Sequence, residues 1–479
     1  MSQSKDFVRY FHIAMVFVIT FGFALIPPFG QITSYGMQVL GIFFGVLYGW
    51  IFCELFWPSV LALLALGMTD FGNITQVFTA GFGNSNVIMI LVIFIFVGFL
   101  ENTGLMRFIA EWFVSRRICE GRPYVLVIML MIPAAIFGAF INVWAGLVIV
   151  WSLLFNACDV LGYKKDDAYV CMGVMVTTLA ASVTPTIFTF RPIPIMANGW
   201  VTAATGSGYN QTTWLILQGL AAVLAVTLLI LIFKFVVKPD VSSFSSSQAL
   251  FDHLRDKKME PQQKIALVFL AFFVVVLMIP LVFPKTMAVV AFINKFSIVG
   301  IAAVCLLFLS MVKVKGERVF NVQNAARTSV NWPLIFMLAA SFPIGDALEQ
   351  DATGIISTFT QFVTPLVSGL SPLVFMIVVI VVFNLMSQVM HNLVLMIVFT
   401  PVLCQLALAV GVPIDVFAPI FIFGVNTAMI TPGSSATGAM LHGNTNWMST
   451  KNTYKWAILT TCVIYLTLIV VVPIGMMMS

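Results

Sequence analysis

The sequence predicts an all-α polytopic membrane protein with about 11 transmembrane helices and two re-entrant hairpins set in inverted-topology repeats. Three observations predict it. Of 479 residues, 61% are hydrophobic and only 9% charged, whereas a soluble domain carries roughly 25% charged residues. The apolar runs, at about 20 residues per crossing, add up to roughly ten or eleven spans plus shorter pieces. Finally, three sequence marks recur in the same order in the two halves of the chain.

The first span lies within residues 1–36. Its apolar run, Ile13 to Pro27, follows Lys5 and Arg9 and has no small-residue cleavage site after it, so it is expected to be retained. Lys and Arg gather at the N-terminus, at Arg107, Arg116, Arg117 and Arg122, and at Lys164-Lys165. They gather again within 234–264 and 313–327, and at Lys451 and Lys455. The positive-inside rule makes these segments cytoplasmic, with the N-terminus inside and the C-terminus outside a plasma or inner membrane. Between Arg327 and Lys451 there is no basic residue, while Glu349, Asp351 and Asp415 occur there; loops of that stretch are expected outside. A polar cytoplasmic linker, 241–263, separates a first repeat, 37–240, from a second, 264–479.

The repeat rests on spacing. Leu100-Glu101-Asn102-Thr103-Gly104 has its counterpart in Leu348 to Gly354, which ends in Thr353-Gly354, and in each half an asparagine lies 38 residues past that glycine, Asn142 and Asn392. Ala181-Ser182-Val183-Thr184-Pro185 matches Ala428-Met429-Ile430-Thr431-Pro432, with prolines 43 and 40 residues past the asparagines. A basic loop follows the first Thr-Gly and acids surround the second, so the units are expected to insert upside down relative to each other. Opposed repeats with broken helices are the architecture of secondary transporters.

Each asparagine marks a hairpin, 123–160 and 372–410. The first turns at Phe140-Ile141-Asn142-Val143-Trp144, where a water-exposed turn would carry a polar cluster. The second turns around Ser387-Gln388 and His391-Asn392. Backbone that turns inside a bilayer must be buried in protein or line a wet cavity. Broken helices, 168–207 and 415–442, come next, because prolines remove donors and clash with the preceding turn. The freed amides and helix N-termini suit anions, each worth roughly 0.3–2 kcal/mol. Arg191 costs about 2.5–3.5 kcal/mol at mid-membrane and needs a partner there; the alternative is that it snorkels to the surface. The candidate substrate-binding residues are Asn142, Val143, Thr184, Pro185, Thr186, Thr189 and Arg191 in the first half. In the second they are His391, Asn392, Leu393, Thr431, Pro432, Gly433, Ser434, Ser435 and Thr437. For the asparagines and His391 the alternative is a packing role.

The paired asparagines, each followed about forty residues later by a proline-broken helix, together with Asn331-Trp332-Pro333-Leu334, resemble the divalent anion/sodium symporter family over nearly the whole chain. That family's Ser-Asn-Thr tips fall on Ile141-Asn142-Val143 and His391-Asn392-Leu393, where only the asparagines remain. Its Thr-Pro-Pro-Asn falls on Phe188-Thr189-Phe190-Arg191 and Ser435-Ala436-Thr437-Gly438, so Arg191 replaces an asparagine. The resemblance implies a homodimer of scaffold and mobile transport domains working as an elevator. It also implies C4-dicarboxylates, 2-oxoglutarate or related dianions as substrates, contacts from the asparagines to carboxylates, and sodium coupling around Asn142 and Asn392. Sodium needs several hard oxygens, and the lost Ser and Thr flanks count against it. The expected function is therefore sodium-independent dicarboxylate exchange. The alternative is sodium- or proton-coupled symport of a di- or tricarboxylate or an inorganic divalent anion. Glu54, Glu101 and Asp346 are the acids available for proton coupling, near predicted span ends.

Other classes lack their residues. No His/Cys/Asp/Glu metal spacing, nucleophile–base pair or phosphate loop is present, so an enzyme, a cofactor and a metal are not expected. Opposed hairpins occlude a path, which argues against a channel. The basic residues follow topology without interleaved aromatics, which argues against nucleic acid. The seven cysteines are scattered and read as reduced core residues.

Overall fold

Lipid offers no partner to a backbone amide, so a chain this apolar satisfies its backbone inside helices. The computed structural model describes residues 2–242, 244, 258–283, 286–314, 316–355, 357–358, 361, 369–388 and 392–478. The helices of the first half are α1 (Ser2–Gly22), α2 (Ser34–Phe52), α3 (Phe56–Leu66), α4 (Ile74–Phe82), α5 (Ser85–Asn102), α6 (Leu105–Val114), α7 (Pro123–Phe140), α8 (Val143–Val160), α9 (Ala168–Val183), α10 (Pro192–Thr205) and α11 (Gln211–Ile232). Those of the second are α12 (Pro261–Val282), α13 (Ala288–Met311), α14 (Val322–Ser329), α15 (Trp332–Glu349), α16 (Pro372–Ser387), α17 (Asn392–Ala409), α18 (Ile414–Asn426), α19 (Ala436–Gly443) and α20 (Thr450–Met478). Among the described residues, ten helices are long and apolar enough to cross a membrane, or eleven if α14 and α15, bent by 74°, count as one span. The protein is a multi-span α-helical membrane protein. Most of the expected linker 241–263 lies outside the described residues, and so does His391.

Burial separates two kinds of helix. A helix apolar on every side is covered by protein or by lipid. Protein covers only 11% of the apolar window of α1, against 89% of the window holding α9. Lipid is therefore the natural surround of α1, and α9 is core, buried from Tyr169 to Val183. Helix α18 is likewise buried from Val416 to Val425. Around these two pack the hairpin helices, α7 and α8 against α9, α16 and α17 against α18.

The two Thr-Gly marks fold into the same turn. Gly104 and Gly354 sit at φ +71 and +66, a left-handed conformation that glycine adopts without a Cβ penalty. Thr103 and Thr353 donate to Leu100 O at 2.8 Å and Gln350 O at 2.7 Å, and each hydroxyl accepts the amide two residues on. Residues 31–33 lie against the second turn, where Thr33 N donates to Thr353 O at 2.9 Å.

Proline and asparagine set the interruptions that matter for function. Helix α7 ends at Phe140 and α8 starts at Val143, with only Ile141 and Asn142 between them. Helix α9 ends at Val183, where Pro185 follows, and α10 restarts at Pro192. Proline suits that first helical position, since the donor it lacks would be unpaired anyway. Helix α18 stops at Asn426 and α19 begins only at Ala436.

Candidate functional site

Four helices begin at one place. Asn142 caps α8, its Oδ1 accepting from Trp144 N at 2.9 Å and Ala145 N at 3.1 Å. Arg191 precedes Pro192 at the start of α10. Helix α17 starts at Asn392. Ser435 caps α19, its hydroxyl accepting from Gly438 N at 2.9 Å. The opening residues of all four helices line one cavity of about 290 Å³. Its walls are otherwise largely apolar, including Ile93, Phe94, Met196 and Met396, with Ser182, Ser329, Asn331 and Asn426 adding polar groups.

Backbone and amide bonds hold these ends in register. Asn392 N donates to Ser434 O at 2.8 Å, which pins the start of α17 to the break between α18 and α19. Asn392 Nδ2 donates to Asn426 O at 3.3 Å, and Asn426 Nδ2 donates to Ser182 O at 2.9 Å, so Asn426 joins the two halves of the chain. Gln388 supports the same break, its Oε1 accepting from Met429 N at 3.1 Å and Ile430 N at 2.9 Å. Such an arrangement satisfies backbone groups that the missing helical turns leave open.

Arg191 is the charge in the lining. It is 8% exposed and donates from Nη1 to Ile141 O at 3.0 Å, the carbonyl at the first hairpin's tip. Its Nε is buried and has no hydrogen-bond partner. Arg191 is thus buried in the cavity wall, not directed to a surface. An unpaired buried guanidinium is costly, so this wall favours an anion.

The expected residues divide in two. Asn142, Val143, Pro185, Arg191, Asn392, Leu393, Ser435 and Thr437 line the cavity. Thr184, Thr186, Thr189, Thr431, Pro432, Gly433 and Ser434 do not. Thr184 donates to Ala180 O at 3.0 Å, and Thr186 to Val183 O and to Gln218 Oε1, both at 2.8 Å. The Thr431 hydroxyl is bonded to Gln388 O and the Ser434 hydroxyl to Thr431 O. Pro432 and Gly433 are exposed. Sequence reasoning missed Ser182, Ser329, Asn331 and Asn426 as lining groups. Two signals were on hand for them: Ser182 sits inside the repeated Ala-x-x-Thr-Pro mark, and Asn426 closes an apolar run five residues before Thr431.

A hard cation is poorly served at the first tip. Asn142 Oδ1 already accepts two backbone amides, and its neighbours Ile141 and Val143 carry no side-chain oxygen. Among the described residues no three His, Cys, Asp or Glu side chains cluster closely enough to hold a metal ion.

Membrane-spanning helices packed around interrupted ones, with a largely apolar cavity carrying a few polar groups where the interruptions meet, have the form of a membrane transporter. Residues 47–424 match the family model CitMHS, citrate transporter, and the chain belongs to that family. The divalent anion/sodium symporters that its motifs resemble fall in the same broad transporter class. No curated protein matches it in sequence. Among solved structures, the YdaH transporter of Alcanivorax borkumensis is similar with a TM-score of 0.60 at 12% identity, over 84% of this chain and 87% of that one. MtrF of Neisseria gonorrhoeae, from a class of antimetabolite efflux pumps, is similar with a TM-score of 0.63 at 13% identity, over 97% and 94%. At such identities the likeness is one of fold.

Proposed function

We propose that this chain is a sodium-independent exchanger of dicarboxylates, of the C4-dicarboxylate and 2-oxoglutarate kind. The observation that supports it most is the convergence of four helix N-termini and one buried guanidinium on a single cavity. Each N-terminus carries roughly half a positive charge, so the site attracts negative charge before any side chain is counted. Arg191 offers a planar fork to one carboxylate. Asn142 and Asn392 present amides at the starts of α8 and α17, where the two carboxylates of a short chain would be held apart.

Exchange follows from the same charges. A loaded site is nearly neutral, and its passage across the bilayer is cheap. An emptied site keeps its excess positive field, whose transfer through lipid is expensive, so the carrier returns with another anion. The two hairpins and two broken helices would move as one body against the remaining helices, in a homodimer.

The test is counterflow into proteoliposomes loaded with succinate, with sodium or with choline as the only monovalent cation. The expected outcome is equal uptake in both salts and little efflux into an anion-free bath. A strict sodium requirement, or efflux as fast without an external anion as with one, sinks the reading.

A further inference from the structure

Among the described residues Arg191 is the one charged side chain in the cavity lining, and a second charge stands directly behind that lining. Glu101, near the end of α5, accepts from the Ser329 hydroxyl at 3.2 Å through Oε2, and the Asn142 amide lies beside the same carboxylate. Ser329 and Asn142 both line the cavity. The other oxygen, Oε1, is buried without a hydrogen-bond partner, as is Arg191 Nε. The carboxylate and the guanidinium are close enough to interact electrostatically, yet no ion pair joins them. Two opposite charges buried near each other and left apart are each free to act on whatever enters the cavity between the groups that hold them.

We infer that Glu101 is a specificity-determining residue that sets the charge of the accepted anion at two. The four helix N-termini supply about two positive charges and Arg191 a third. Glu101 takes one away when it is ionised, a form that burial opposes and that the Ser329 and Asn142 donors and the Arg191 charge favour, leaving a site balanced by a dianion. A trianion brings one negative charge too many into a desolvated space, where like charges repel far more strongly than in water. Ser329 and Asn142 hold the carboxylate to the cavity side, so its field acts on the ligand without contact. This inference rests on the cavity being the anion site. It narrows that reading to a charge class, for which a citrate molecule qualifies as its singly protonated form.

The experiment measures competition with labelled succinate exchange in proteoliposomes, at a pH where citrate and tricarballylate are fully trianionic. Succinate and both trianions are tested against wild type, E101Q and E101D. Wild type is expected to favour succinate by about tenfold or more, E101Q to lose that preference by about the same factor, and E101D to retain it. An unchanged ratio in E101Q overturns the role of Glu101, and so does an equal loss for all three anions, which would mark a structural part. Should E101Q not fold, wild type alone still decides: affinity along butyrate, succinate and tricarballylate must peak at succinate, and a rise through to tricarballylate overturns the inference. Failure of wild type to bind any of the three removes the anion site itself, a separate result.

Discussion

Asn142 does two things that a substitution can separate. Its Oδ1 caps α8 through two amides, while its amide nitrogen lies beside the Glu101 carboxylate and, in the proposed site, has a second hydrogen to offer an entering anion. Asn142→Ala loses both and costs about 1 kcal/mol of cap energy. Asn142→Asp keeps the cap, since aspartate caps as well as asparagine, but replaces the donor with a negative charge beside Glu101. The expected outcome is a melting temperature near wild type with exchange reduced about 100-fold or more. Near-wild-type exchange in Asn142→Asp would remove this residue from the site. Asp166 gives a different test, because it lies between α8 and α9, away from the cavity. Burial raises its pKa, but bonds from Ser449 and Asn452 and the charge of Lys165 outweigh that and hold it below the usual value. A carboxylate with a depressed folded-state pKa stabilises fully above the unfolded value of about 3.9, and that contribution fades as pH falls through the folded value. Asp166→Asn should therefore lower the detergent melting temperature at pH 6 and converge with wild type in strong acid. A constant gap at every pH would mean that its ionisation is irrelevant.

At the scale of elements, proline and spacing made the interruptions legible. Pro185, Pro192 and Pro432 mark breaks, whereas Pro133, Pro343, Pro401 and Pro419 lie inside continuous helices, so it is proline together with the repeated spacing that locates the interruptions. The matched 38-residue offset placed two asparagines at helix starts that share a cavity. Of the expected hydroxyl residues only Ser435 and Thr437 reach the lining, because sequence does not say whether a threonine points inward or back onto its own helix. Thr184 and Thr186 bond carbonyls three or four residues earlier, which is what buried helical threonines do. The position of Glu101 near the end of α5 says nothing of the bent α14–α15 pair that brings Ser329 to it. Close approach between elements was equally hidden. Gly138 on α7 faces α9 so tightly that a Cβ there would lie 2.4 Å from both Ala181 O and Thr184 Oγ1. Gly138→Ala must push the hairpin off α9, drawing Ile141 O away from Arg191. The expected cost is about 1–3 kcal/mol in unfolding together with weakened succinate exchange. Unchanged melting and exchange would show that the two helices yield freely.

At the scale of the whole molecule, the proposed function requires the unit proposed to hold the anion to move past the rest of the helices. A small crevice of about 50 Å³ lies on one such seam, with Val46 and Trp50 of α2 and Ile344 and Gly345 of α15 on one side, and Ile397, Val402 and Gln405 of α17 on the other. Helix α17 carries Asn392 at its start, whereas the crevice is reached further along it. If the hairpins slide against α2 and α15, this seam has to change its contacts on every cycle. Gly345 allows a clean test, because a Cβ added there meets nothing within 4 Å. A Cβ is accommodated there without strain, and a larger side chain built on it reaches into the crevice. Gly345→Phe should therefore leave succinate binding unchanged by thermal shift while slowing exchange about tenfold, because overpacking one arrangement of the seam by 1–3 kcal/mol relative to the other changes their interconversion by that order. Loss of binding along with exchange would place the crevice in the anion site instead. Wild-type exchange would mean that α17 does not slide along α15, and the moving body would have to be drawn without it.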